Sequence, residues 1–193
     1  MNKQILKLAL AMALSGSALS ANAAFYTFTD LGTLGGTNSA ARAINDAGQV
    51  AGWSYTANNA AYHATVWNGA TATDLGAPLG GTSSVATAIN TAGQVVGYAF
   101  FAKNAQHAAV WNGTTATDLN SFLDASTVSA GWVLTEATGI NDNGWIVGNA
   151  SNASLGITSH AFLLTPVPEA ETYAMMLAGL GMIGAIVRRR KSV

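Results

Sequence analysis

Ile44-Asn45-Asp46-Ala47-Gly48-Gln49-Val50-Ala51-Gly52 decides the fold, because the same text returns at Ile89–Gly97 and again at Ile140–Gly148. Two further phrases repeat around it. Asp30-Leu31-Gly32, Asp74-Leu75-Gly76 and Asp118-Leu119-Asn120 recur at a period of 44 residues. His63-Ala64-Thr65-Val66-Trp67 returns as His107–Trp111 and, more loosely, as His160-Ala161-Phe162-Leu163-Leu164. Self-similarity at a fixed period of this size marks stacked supersecondary units that bury their apolar faces against one another. The units run over about 30–73, 74–117 and 118–165, the third being longer by an insertion around residues 121–131.

Each unit reads as short strands joined by tight turns. In Asn45-Asp46-Ala47-Gly48 the asparagine suits the first position of a type I turn and the glycine its left-handed end. Asn68-Gly69 and Asn112-Gly113 are strong two-residue hairpin signals. Segments such as Gln94-Val95-Val96-Gly97-Tyr98 are β-prone, and no helical period stands out between residues 25 and 165. One unit thus predicts four strands, Ala40–Ile44, Gln49–Tyr55, Ala61–Trp67 and Ala70–Leu75.

Phe25–Leu31 resembles the last strand of a unit, Thr71–Leu75, and the third unit lacks such a strand. The first strand is therefore expected to complete the last unit, closing the body and hiding a sheet edge. The predicted fold is all-β: three four-stranded modules, propeller-like or threefold prism- or trefoil-like. Three blades are fewer than the usual four to eight of a propeller, so an open propeller fragment is the remaining alternative.

The chain has 193 residues, no cysteine and only 9% charged side chains. Disulfides and thiolate chemistry are excluded. Between residues 25 and 166 two cations, Arg42 and Lys103, stand against seven carboxylates, a net of about −5. That balance argues against a phosphate-binding surface, so nucleic acid is not expected as a partner.

The remaining six cations all sit at the ends, which read as addresses. Residues 1–23 combine Lys3 and Lys7, an apolar run from Leu8 to Leu19, and the small-x-small pattern Ala21-Asn22-Ala23. This is the three-part layout of a secretory signal helix with cleavage near Ala23. The body then spans 25–166 and a tail spans 167–193. The tail opens with Val167-Pro168-Glu169, continues as an uncharged apolar stretch over 172–187, and closes with Arg188-Arg189-Arg190-Lys191. Sixteen apolar residues fall just short of the ~17–25 of a stable transmembrane helix. The basic tip would be held on the cytoplasmic side.

This tail resembles the PEP-CTERM sorting signal of Gram-negative bacteria, with Ala170 standing where a second proline is usual. The resemblance implies an exosortase-type processing enzyme in the inner membrane as partner. It also implies membrane attachment through the C-terminal helix before processing, and delivery to the cell surface or biofilm matrix. The repeat text resembles the HAF extracellular repeat family over about 140 residues, with the His-Ala-Phe triplet literal only at His160-Ala161-Phe162. That resemblance implies an exported repeat protein and brings no catalytic residues.

Hairpin arithmetic places the histidines. A turn at Asn68-Gly69 sets Trp67 opposite Ala70 and hence His63 opposite Asp74; the next unit pairs His107 with Asp118; closure would pair His160 with Asp30. A His–carboxylate pair is part of a catalytic triad, and three histidines about an axis could bind a metal. A pair repeated in every unit points instead to a cross-strand structural contact, so no catalytic residue, metal or cofactor is expected.

Other motifs fail for lack of context. Asn141-Asp142-Asn143-Gly144 has no downstream glutamate at calcium-loop spacing. Gly35-Gly36 and Gly80-Gly81 precede no helix and so cradle no phosphate. Asp124 and Glu136 are the nearest approach to a carboxylate pair. Trp67 and Trp111, at equivalent positions, are expected in the core; Trp53 and Tyr98 are equivalent to each other. Trp132 and Trp145 are the candidate glycan contacts, since flat aromatic faces stack on sugars. The functional expectation is a non-enzymatic exported protein, structural or adhesive with extracellular polysaccharide. A lectin-like module and a secreted hydrolase are the alternatives.

Overall fold

The computed structural model describes residues 26–77, 79–101 and 105–167. The expected signal segment with Ala21 and Ala23 lies outside the described residues. So do Pro168, Glu169, the tail helix over 172–187 and Arg188, Arg189 and Arg190. Among the described residues no helix is long and apolar enough to cross a membrane.

Three antiparallel sheets follow one another along the chain. The first holds β1 (Gly35–Ile44), β2 (Gln49–Thr56), β3 (Tyr62–Asn68) and β4 (Thr71–Asp74). The second holds β5 (Ser84–Ile89), β6 (Val95–Phe100), β7 (Gln106–Asn112) and β8 (Thr115–Asp118). The third holds β9 (Trp132–Ile140), β10 (Ile146–Asn152) and β11 (Ile157–Leu164). Within each sheet neighbours in sequence are neighbours in space, so every unit is a meander.

The middle sheet is covered on both faces, and its two central strands show this as the apolar runs Val95–Phe100 in β6 and Ala108–Trp111 in β7. Val95, Ile89, Ala109 and Trp111 pack with Ala51, Ala64 and Leu75 of the first sheet. Their neighbours Val96, Ala108 and Leu119 pack with Leu134, Ala137 and Ile146 of the third. Adjacent residues Val95 and Val96 thus serve different layers, as alternation along a strand requires.

The asparagine turns behave as expected and do more. Asn45 Oδ1 accepts from the backbone N–H groups of Ala47 (3.1 Å) and Gln49 (2.9 Å), and Gly48 closes the turn at φ +76°. The amide of Asn45 donates to the carbonyl of Asn90 at 3.0 Å, and that of Asn90 to the carbonyl of Asn141 at 3.2 Å. Equivalent turns are thereby tied in a ladder from sheet to sheet. Buried amides need such partners.

Three expectations require correction. The third sheet has three strands, because residues 26–31 form no strand and the body does not close on itself. The backbone just after this segment is anchored on the first sheet, where Leu34 N–H donates to Ser54 Oγ (2.8 Å) and Ser39 Oγ donates to the Gly32 carbonyl (2.8 Å). The second sheet lies between that anchor and β11.

The hairpins turn one residue later than predicted. Asn68 pairs with Thr71 and Trp67 with Ala72, so the loop is Gly69-Ala70 and the asparagine is still in the strand. Gly69 is left-handed at φ +59° while Ala70 is not, the sign pattern of a II′ turn with glycine first.

The insertion also contains a helix, α1 (Ala125–Ser129), too short to display a period. Its cap is Asp124. Hydrogen bonds from the Ser126 hydroxyl, then from Thr127, hold that carboxyl well below the usual carboxylate range. A depressed folded-state value means that the cap's contribution is present above the ordinary carboxyl pKa and is lost only as pH falls through the lower one.

Candidate functional site

The His–Asp pairs form in two sheets out of three. His63 Nδ1 lies 2.9 Å from Asp74 and His107 Nδ1 lies 2.8 Å from Asp118. The partners are those the repeat predicts, but the geometry differs. Asp74 stands opposite Thr65, so His63 reaches it diagonally, two residues along β3. Asp74 and Asp118 also accept from the backbone N–H two residues on, at 2.7 and 2.9 Å, which turns the chain toward the next unit. His160 does not meet Asp30, since among the described residues no strand pairs with the outer edge of β11; its ring packs on Trp132 instead, centroids 5.7 Å apart. Among the described residues no three His, Asp or Glu side chains converge on one point.

A site the sequence reading passed over lies along the first strands of the three sheets. Each carries a β-bulge: the register slips at Arg42 in β1, at Thr87 in β5 and around Thr138 in β9. Opposite each bulge stands the last glycine of the repeated text, Gly52, Gly97 or Gly148. A Cβ there would collide with the carbonyl oxygen of Ala40, Val85 or Glu136 respectively. Bulges re-aim side chains, and here they turn Arg42, Thr87 and Thr138 into one cleft of about 580 Å³, shared with Trp53 and Glu136. Thr87 Oγ additionally donates to the Ala137 carbonyl at 2.6 Å, tying β5 to β9.

Beside this cleft lies an aromatic wall. Trp53, Tyr55 and Tyr62 meet edge to face with centroids 5.5–6.0 Å apart, and Tyr62 and Tyr98 both adjoin Phe100. Arg42, the one Arg or Lys among the described residues, lines the same hollow with Tyr98. Burial, then the neighbouring Tyr62, pushes the Tyr98 phenol up; Arg42 opposes this and Glu136 adds to it. Tyr98 is therefore a neutral hydroxyl at physiological pH. Flat rings, a guanidinium, a carboxylate and hydroxyls form a surface able to stack on and hydrogen-bond a polyhydroxylated ligand. The available signals were the Trp53–Tyr98 equivalence and the position of Arg42 as one of two cations in an acidic body.

Trp132 and Trp145 lie elsewhere, on the third sheet and its turn. Trp132 is half-buried and lines a hollow with His160, Leu134 and Phe162, whereas Trp145 is exposed. Trp67 and Trp111 are buried in the core as expected, and neither indole N–H finds an acceptor among the described residues.

Beyond the body, Val167 is the last described residue, and it is exposed. No curated protein and no solved structure matches the chain. Residues 166–191 match the family model of the PEP-CTERM protein-sorting motif, which marks the chain for an exosortase system of Gram-negative bacteria.

Proposed function

We propose that this chain is an exported, non-enzymatic β-repeat protein delivered to the cell surface or extracellular matrix, where it has a structural or adhesive role with exopolysaccharide. The observation that carries this reading is the sorting motif over residues 166–191, whose partner is an exosortase-type enzyme. The signal-like segment at residues 1–23 and the HAF-like repeat text support it. The His–Asp pairs are read as structural, because they recur once per complete sheet while an active site is singular.

A lectin-like module is the second reading, favoured by the aromatic wall with Arg42 and Glu136. On this reading the cleft holds the sugar and Trp132 and Trp145 are secondary contacts. Co-sedimentation of the full chain with exopolysaccharide from the producing bacterium tests both. Wild-type chain is expected to co-sediment, and Trp53→Ala to lose most of that binding while keeping its circular dichroism spectrum. Retention in Trp53→Ala with loss in Trp132→Ala would move the contact to the third sheet. No co-sedimentation by the wild type would remove the polysaccharide role.

A further inference from the structure

The two ends of the sheet array are complementary halves of a contact the chain already makes twice internally. We propose that a second copy of this chain docks head to tail, its residues 27–30 adding to β11 as the missing fourth strand of the third sheet.

The N-terminal segment carries the text of a fourth strand but joins no sheet. Asp30-Leu31-Gly32 repeats Asp74-Leu75-Gly76, and its turn is already formed: Gly32 N–H donates to Asp30 Oδ1 at 3.0 Å, as Gly76 N–H does to Asp74. Residues 26–30 nevertheless pair with nothing among the described residues, and Tyr26 and Phe28 are 92% and 90% exposed. At the other end β11 is an open edge, where β3 and β7 are covered by β4 and β8. An unpaired edge is a template for strand addition from another chain.

The pairing follows from the repeat. In the second sheet Ala109, Val110 and Trp111 stand opposite Asp118, Thr117 and Ala116. Carried over, Phe162, Leu163 and Leu164 stand opposite Asp30, Thr29 and Phe28 of the second copy. This register brings Asp30 to His160, each the unmatched half of a pair that His63–Asp74 and His107–Asp118 complete. It also sets Phe28 beside Leu164, at an apolar hollow of about 410 Å³ lined by Phe122, Ile146 and Pro166.

The faces behind the strands agree. Val96 is fully buried against the third sheet, whereas its equivalent Val147 is 44% exposed; Ile89 is 8% exposed, whereas its equivalent Ile44 is 68% exposed. One lies on the outer face of the third sheet and the other on the first strand of the first. The Asn45–Asn90–Asn141 ladder likewise ends at the Asn141 amide, and the Asn45 carbonyl is where a further rung would land. A contact between unlike ends closes into a ring or runs on as a filament.

Cysteine cross-linking tests this cleanly, because the chain contains no cysteine of its own. Cα atoms of paired antiparallel residues lie about 4.5–5.5 Å apart, within the ~4.4–6.8 Å that a disulfide spans. Full-length Thr29→Cys and full-length Leu163→Cys, each at an exposed position, are mixed in detergent and oxidised mildly. A disulfide-linked heterodimer is expected, at several times the yield obtained when Thr29→Cys is mixed with Ser159→Cys, which is exposed on the same strand but out of register. Equal yields from the two mixtures would overturn the proposal. So would a double Thr29→Cys/Leu163→Cys chain that oxidises wholly within itself, since the chain's own segment would then occupy the edge.

Discussion

Gly97→Ala is expected to abolish native pairing between β5 and β6, at a cost above the ~3 kcal/mol that ordinary overpacking reaches. The added Cβ would lie well under 3.0 Å from the Val85 carbonyl oxygen, and that oxygen belongs to backbone that cannot rotate away as a side chain would. Relief requires undoing the bulge at Thr87, which also removes the Thr87 bond to Ala137 in the third sheet. Gly113→Ala is the control: nothing lies within 4 Å of its Cβ position, but φ is +60°. Its expected cost is only the ~1–2 kcal/mol of a left-handed non-glycine residue. Denaturant midpoints of the two variants against wild type decide the matter. Similar midpoints for both would mean that the close approach at the bulge is not what demands glycine.

Trp111→Ala is expected to cost about 3–5 kcal/mol, the range for emptying a buried aromatic site. Trp111 is fully buried in the layer between the first two sheets, where Val95 stands opposite it across β6 and Ala116 across β8. Its indole N–H has no acceptor among the described residues, so the wild type already bears a desolvation penalty that alanine removes. That places the loss toward the lower part of the range, and Trp111→Phe should recover most of it. Small domains hold only about 5–15 kcal/mol in total, so the alanine variant should unfold at a much lower urea concentration. An unchanged midpoint would contradict the assignment of this layer as the core.

Much of the architecture was legible because the repeat states each rule two or three times. Strand positions, asparagine turns, the buried tryptophans and the His–Asp contacts all follow from text that recurs at equivalent places. What stayed hidden depends on relations between units or on single-residue offsets. The hairpin offset was missed because Asn-Gly fits a loop as either its first two residues or as the strand end plus the first loop residue. Ala70, which avoids the left-handed region, selects the latter. The cleft was missed because a bulge leaves little trace in one strand; its trace is the glycine across from it, and Gly52, Gly97 and Gly148 read as ordinary strand ends. Intramolecular closure was expected from a real resemblance between residues 25–31 and 71–75. Sequence similarity supplies the strand text but not the sheet it joins, and the anchors at Ser39 and Ser54 hold the backbone just after it, Gly32 and Leu34, on the first sheet. Helix α1, five residues long, announces itself only through its Asp124 cap.

The central claim is that residues 166–191 address this chain to an exosortase system and so to the cell exterior. C-terminal peptide mapping of the protein recovered from inner membrane, outer membrane and culture supernatant of its host tests it directly. Chains ending near Pro168 in the outer fractions are the predicted result. Chains intact to Val193 and confined to the inner membrane would contradict it, leaving a membrane-held module in place of a surface or matrix protein.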